Sequence, residues 1–189
     1  MRIVTLNANG IRSANNKGLA NWMNSLRGWD VFCLQEMKAN VEDVPEELLR
    51  PKKSHGHFHP AEKKGYAGVA LYCKREPDRV QIGTGIKWID AEGRYLQADF
   101  GNLSIISLYV PSGSASEEAQ AKKFRFMKEF MPFLKALKAT GRELGSLAEG
   151  SIPARASNQR LARCHKEGSA RSTKAGTRVR LAKPVTPAN

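Results

Sequence analysis

Apolar residues recur along this chain at two different periods, and the switches between them mark its elements. Residues 2–7 (RIVTLN) are β-rich and end on polar Asn7, with Asn9-Gly10 just beyond. Leu19, Trp22, Met23 and Leu26 fall at i, i+3, i+4 and i+7, which predicts a helix over about 16–27 that Gly28 stops. Residues 30–35 (DVFCLQ) form a continuous apolar run, as expected of a strand buried on both faces. Residues 41–50 read as a short acidic helix and 51–66 as a loop in which Lys52, Lys53, Lys63 and Lys64 flank three histidines. Residues 67–74 make another strand. Two more fall at 94–100 and 103–110, joined by Gly101-Asn102. A long helix follows over about 116–139, opened by a Ser114–Glu117 capping box. Phe124, Met127, Met131, Leu134 and Leu137 hold its period, with Glu118–Lys122 as an i, i+4 pair.

After Gly141 neither period persists. Residues 144–189 are rich in Ala, Ser, Gly, Arg, Lys, Pro and Thr, a composition that cannot bury enough apolar surface to offset its ordering entropy. That stretch reads as a disordered tail with at most a short helix near 156–165. Charge divides at the same place. Residues 1–143 carry 22 basic and 16 acidic side chains, net +6, whereas 144–189 carry 9 and 2, net +7. The division is therefore residues 1–143 as one α/β part and 144–189 as an unrelated basic tail. The overall +13 would attract phosphates, but more than half of it lies outside the patterned region.

Several classes drop out. No apolar stretch approaches 18 residues, so no membrane-spanning helix is expected. The N-terminus lacks the long apolar run of a secretory signal. Cys33, Cys73 and Cys164 are too few and too far apart for a disulfide framework or a zinc pattern. Cys33 and Cys73 lie in apolar runs and read as small core residues, consistent with a reducing cytoplasm. His55, His57 and His59 alternate and would share one face of an extended chain, but without a neighbouring acid or cysteine they read as part of a solvated loop.

Chemistry concentrates at the ends of the expected strands. Asn7 closes the first. Glu36 directly follows the buried run, with Lys38 two residues on, in Leu34-Gln35-Glu36-Met37-Lys38. In open α/β sheets ligands sit outside strand carboxyl ends, and a carboxylate there suits Mg²⁺, which takes few protein oxygens and keeps its waters. Gly65-Tyr66-Ala67-Gly68-Val69-Ala70 marks a close backbone approach before a strand. Tyr109-Val110-Pro111 sets a phenol at a strand end.

Taken in order, Asn7 in Asn-x-Asn-Gly, Leu-Gln-Glu-x-Lys, Gly-Tyr-x-Gly-Val-Ala, Glu92-Gly93-Arg94 and Tyr109-Val110-Pro111 resemble the exonuclease III family of AP endonucleases, within the endonuclease/exonuclease/phosphatase superfamily. The resemblance covers residues 1 to about 143, an N-terminal half. It implies a four-layered α/β sandwich, here incomplete, and hydrolysis of DNA phosphodiesters dependent on Mg²⁺, or on Mn²⁺ in its place. The implied substrates are double-stranded DNA with abasic sites and 3′ strand ends, handled by a monomer with no membrane partner. Residue by residue, Glu36 matches the metal ligand and Asn7 the asparagine beside the metal. Tyr109 matches the catalytic tyrosine that approaches the scissile phosphate. Lys38 and Arg94 sit in matching segments and are carried over as substrate-binding.

The resemblance then stops. Family members continue into an apolar strand ending in Gly-Asp-x-Asn and a later Asp-His pair, which supply the water-activating Asp and a phosphate contact. Here Gly141-Arg142-Glu143 runs into Leu144-Gly145-Ser146-Leu147, no Asp follows Asp99, and the only later histidine is His165. Loss of a general base alone costs about 10²–10⁴-fold in rate, so this chain is expected to be inactive alone. Its tail is expected to be out of frame or joined after a deletion, which the other two reading frames would test. A sandwich ending at 143 would also leave apolar surface without a partner. The competing functions are a non-catalytic basic DNA-binding fragment and a small-molecule phosphoesterase of the same superfamily.

Overall fold

The computed structural model describes residues 1–113, 116–149 and 177–180. In chain order the elements are β1 (Arg2–Asn7), α1 (Ile11–Asn16), α2 (Leu19–Ser25), β2 (Val31–Gln35), a 3₁₀ turn (Val41–Asp43), α3 (Glu46–Leu49), β3 (His55–His59) and β4 (Val69–Cys73). Then come β5 (Arg79–Ile82), α4 (Lys87–Ala91), β6 (Tyr95–Phe100), β7 (Leu103–Tyr109), α5 (Glu117–Ala139), β8 (Glu143–Glu149) and β9 (Thr177–Arg180). The strands form two sheets, ordered β3-β4-β2-β1-β9 and β5-β6-β7-β8. β1 and β2 run parallel, as do β7 and β8. Parallel neighbours need a crossover, and helices supply both: α1 and α2 in the first case, α5 in the second.

Three apolar clusters define the layers. Between the sheets, Ile3, Val31, Cys33, Val69, Leu71 and Cys73 meet Leu96, Ala98, Phe100 and Ile105. On the outer face of the first sheet, Phe32, Leu34, Ala70 and Tyr72 pack with Ile11, Leu19 and Met23 of the helices. On the outer face of the second, Tyr95, Ile106 and Leu108 pack with Ile89, Phe126 and Phe130. The result is helix, sheet, sheet, helix, the four-layered α/β sandwich expected. Strand β2 explains its own sequence: Val31 and Cys33 face one cluster and Phe32 and Leu34 the other, so its first four positions are apolar and the buried Gln35 closes it. Cys33 and Cys73 are buried free thiols of the inter-sheet core, and burial pushes the Cys73 thiol up to about 12.

Several elements differ from the pattern-based expectation, each for a local reason. The helix expected over 16–27 is α2 (Leu19–Ser25), and a separate α1 precedes it, because Gly18 between them takes φ +89°, which no helix can continue through. The acidic helix over 41–50 is a 3₁₀ turn and a short α3 separated by Pro45, whose ring does not fit a helix interior. The histidine loop contains strand β3, paired antiparallel with β4 in the register His57↔Leu71. In α5 the buried stripe runs through Phe126 and Phe130, with Phe133 and Leu137 against them, while Phe124 is 64% exposed. Edge contacts of Tyr95 with Phe133 and of Trp88 with Phe126 set that phase. The helix cap is Ser116, whose hydroxyl accepts from the Ala119 N–H at 3.2 Å; Ser114 lies outside the described residues. Pro132 sits inside α5 and has no N–H for the carbonyl one turn back.

The chain past 143 also differs. β8 lies parallel to β7 in the register Leu103↔Glu143 to Tyr109↔Glu149, and β9 lies antiparallel to β1. Glycine, serine and alanine give β8 little intrinsic strand preference, so no pattern announced it. Its Gly145 approaches the core closely: a Cβ there would stand 2.7 Å from Ile105 Cδ1. The helix expected near 156–165 lies outside the described residues, as does Cys164. Among the described residues the exposed large apolar side chains are Met1, Val41, Ile82 and Phe124, one on each of four separate segments. No described helix is long and apolar enough to cross a membrane.

Candidate functional site

Asn7 and Gln35 are register partners at the ends of parallel β1 and β2, which puts Asn7 beside Glu36. Tyr109 ends β7 in the other sheet. Three strand ends therefore converge at one edge of the sandwich, the position where α/β sheets bind ligands. Asn7 Nδ2 donates to Glu36 Oε1 at 2.6 Å, and the Tyr109 hydroxyl donates to the same oxygen at 2.9 Å. Lys38 Nζ lies 2.9 Å from Glu36 Oε2 and donates to Asn9 Oδ1 at 2.6 Å. Asn9 N–H in turn donates to Asn7 Oδ1 at 2.9 Å.

The backbone at this edge is held in unusual conformations. Asn9, Glu36, Lys38 and Ala67 have φ of +47°, +54°, +48° and +34°, a region non-glycine residues enter at a cost of about 1–3 kcal/mol each unless the surroundings impose it. The surroundings do so through cross-segment hydrogen bonds. Gly10 N–H donates to the Glu36 carbonyl, Ile11 to Met37, Met37 to Gly68 and Lys38 to Ala67, all at 2.8–3.1 Å. Gly68 at φ +80° lies against the Met37 side chain, where a Cβ would collide. The glycine motif at 65–70 thus serves as the close backbone approach read from its composition.

Burial alone would raise the Glu36 carboxyl, but hydrogen bonds from Asn7, Lys38 and Tyr109, with the Lys38 charge, outweigh it and hold the group below the usual range. The Tyr109 phenol moves the other way. Burial, the bond to Glu36 and that carboxylate's charge push it well up, with the Arg94 cation opposing. A neutral phenol donating to an ionised carboxylate is therefore the stable pairing near neutral pH.

The structure brings Asn7, Glu36, Lys38 and Tyr109 together. Arg94 lies behind them, 2% exposed, with Nε, Nη1 and Nη2 all bonded within the protein, so its guanidinium does not face the open side. Asn9, Tyr66, Glu92 and Lys122 also belong to the site. Tyr66 and Glu92 lay inside motifs already singled out, whereas Lys122 gave no signal beyond its helical spacing. Its partner is Glu92 and not Glu118, which engages Ser116 instead. The three histidines stand apart on β3, where His59 Nδ1 bonds the Tyr95 carbonyl at 2.8 Å.

Among the described residues no group of three or more His, Cys, Asp or Glu side chains is placed to hold a metal. A largely hydrated divalent cation needs less, since one or two carboxylates with waters suffice for Mg²⁺. Glu36 provides one ionised, hard-oxygen group that is 16% exposed, with the Asn7 amide adjacent. That donor set fits such an ion.

A model of the Endonuclease/Exonuclease/phosphatase family matches residues 4–171, and the chain belongs to that family. It is 34% identical over 116 residues to the DNA repair nuclease APEX1 of Danio rerio, covering 60% of this chain and 37% of that protein. It is 33% identical over 114 residues to the exodeoxyribonuclease of Bacillus subtilis (strain 168), covering 59% and 43%. A DNA-(apurinic or apyrimidinic site) endonuclease of Dictyostelium discoideum is 29% identical over 143 residues, 74% of this chain and 39% of that one. The chain thus spans about two-fifths of the length of these relatives. In fold it is similar to a 3′-5′ exonuclease from Neisseria meningitidis, with a TM-score of 0.69 and 21% identity over 80% of this chain and 58% of that chain.

Proposed function

We propose that this member of the Endonuclease/Exonuclease/phosphatase family carries the metal- and phosphate-facing part of a DNA-repair nuclease site. Its substrates are duplex DNA with abasic sites, or 3′ ends. The observation that carries this reading is the convergence of Asn7, Lys38 and Tyr109 on one carboxylate, Glu36, at the strand ends. Glu36, with Asn7 beside it, would hold Mg²⁺ or Mn²⁺, which when bound neutralises charge developing on phosphate oxygens. Tyr109 stays protonated near neutral pH and offers its O–H to a phosphate oxygen as charge develops there. Lys38, its side chain 35% exposed, keeps the outer carboxylate oxygen ionised and adds a positive charge at the mouth of the site.

In this reading the 189 residues alone cleave little. They hold no Asp after Asp99 and only His165 after His59, so nothing in the later half matches a water-activating base. A second reading, DNA binding without cleavage, is favoured by one observation, the net charge of +13. One experiment addresses both: cleavage and binding of an abasic-site duplex with Mg²⁺, comparing the native chain with Glu36→Ala. Background cleavage with strongly salt-dependent binding is expected. Robust cleavage that Glu36→Ala abolishes would overturn the view that the site is incomplete.

A further inference from the structure

Behind Glu36 lies a second polar set centred on the buried Arg94. Arg94 Nε donates to Glu92 Oε2 at 2.6 Å, Nη1 to the Tyr109 carbonyl at 2.9 Å and Nη2 to the Tyr66 hydroxyl at 3.2 Å. Its guanidinium also stands 5.0 Å from the centre of the Tyr109 ring. The Tyr109 N–H returns a bond to the Arg94 carbonyl at 2.9 Å. From α5, Lys122 pairs with the other Glu92 oxygen and donates to the Tyr66 hydroxyl at 3.1 Å. One half-buried carboxylate thus carries two cations, and the planar arginine bridges it to a phenol and to the backbone of Tyr109. A lysine at 94 would offer a point charge without that fork.

We propose that Arg94 is the positioning residue for Tyr109, and that Glu92 and Lys122 tie this setting to α5. The inference rests on the preceding reading only in treating the Tyr109 phenol as functional. A tyrosine at a strand end has two side-chain torsions, and its bond to Glu36 fixes the ring only while that carboxylate faces it. Arg94 holds the ring by its face and by its own backbone at both N–H and C=O. The phenol therefore keeps its orientation when Glu36 is engaged by something else, which is the preorganisation a reacting group requires. The same grip accounts for Arg94 being turned away from the open side.

The test uses the full chain labelled with 3-fluorotyrosine, whose four tyrosines give four fluorine signals assigned by single Tyr→Phe changes. In Arg94→Lys the Tyr109 signal is expected to narrow and move toward that of the free amino acid, with Tyr72 and Tyr95 unmoved as witnesses of an intact core. Lys122→Met is expected to move Tyr66 strongly and Tyr109 to a smaller degree. An unchanged Tyr109 signal in folded Arg94→Lys overturns the proposal. Should that variant fail to fold, Lys122→Met decides: a Tyr109 change supports the proposal, and a change at Tyr66 alone overturns it. No cleavage is measured, so this outcome is independent of whether the chain proves to be a nuclease.

Discussion

Two carboxylates in this protein each have three side-chain partners, yet they serve opposite ends. Glu36 is met by Asn7, Tyr109 and Lys38. Asp99 is met by Gln97 at 2.7 Å, Ser104 at 2.6 Å and Arg142 at 3.3 Å. Asp99 lies within regular β6, under cover, in a polar row that Tyr95 extends through Gln97. Arg142 also donates to the Gly101 and Leu103 carbonyls, so this cluster fixes the β6–β7 turn against the start of β8. Glu36 stands on strained backbone at a partly open sheet end. The number of donors therefore does not mark a site. Access and an unusual backbone, imposed from outside the segment, do.

The largest expected effect tests that contrast directly. Asp99→Ala removes a covered acceptor shared by Gln97, Ser104 and Arg142 and should cost about 2–3 kcal/mol in denaturant unfolding, whereas Glu36→Ala, whose partners reach water, should cost under about 1 kcal/mol. Equal losses would erase the distinction. Next, Gly68→Ala places a Cβ against Met37 at a positive φ, and a loss of about 2 kcal/mol with unchanged secondary structure by circular dichroism is expected. A neutral result would mean that the site's backbone yields easily.

Smaller is the acid response. The Glu36 carboxyl is lower in the folded protein than its usual 4.5, so its contribution to stability is full above that value and is lost as pH falls through the lowered one. Stability curves of the native chain and Glu36→Gln should therefore converge below about pH 4.5. Curves that stay parallel to lower pH would show that Glu36 gains nothing from its donors. The smallest effect belongs to the exposed Glu46–Arg50 pair at 3.7 Å, where Arg50→Ala should change stability by under about 0.5 kcal/mol.

The sequence made the strands of the sandwich legible where burial is one-sided or complete, as in β2, β4, β6 and β7. β3 and β8 stayed hidden because histidine, glycine and serine carry no strand preference, and their pairing depends on β4 and β7. α5 was legible in extent and partly in phase: Met127, Leu134 and Leu137 do face the core, but its buried centre, Phe126 and Phe130, was chosen by aromatic rings on other elements while Phe124 turned outward. Of the site, Asn7, Glu36, Lys38 and Tyr109 were readable because each closes or follows a strand. That Arg94 turns inward was not readable, because Tyr66 and Tyr109, which it bonds besides neighbouring Glu92, come from separate segments.

Pro132 divides α5 in a way that bears on that last group. The proline provides no amide proton for the Lys128 carbonyl, so the helix's hydrogen-bond ladder lacks one rung between its two halves. The first half carries Lys122 toward Glu92, and the second seats Phe133 on Tyr95. Phe126 and Phe130, the buried side chains of α5, both precede the proline, so the missing rung lets the second half open and reclose as its own unit while the first remains docked. In hydrogen exchange the amides of 134–139 should lose their protection before those of 122–130, so the grip on Tyr109 persists while the end of the helix opens.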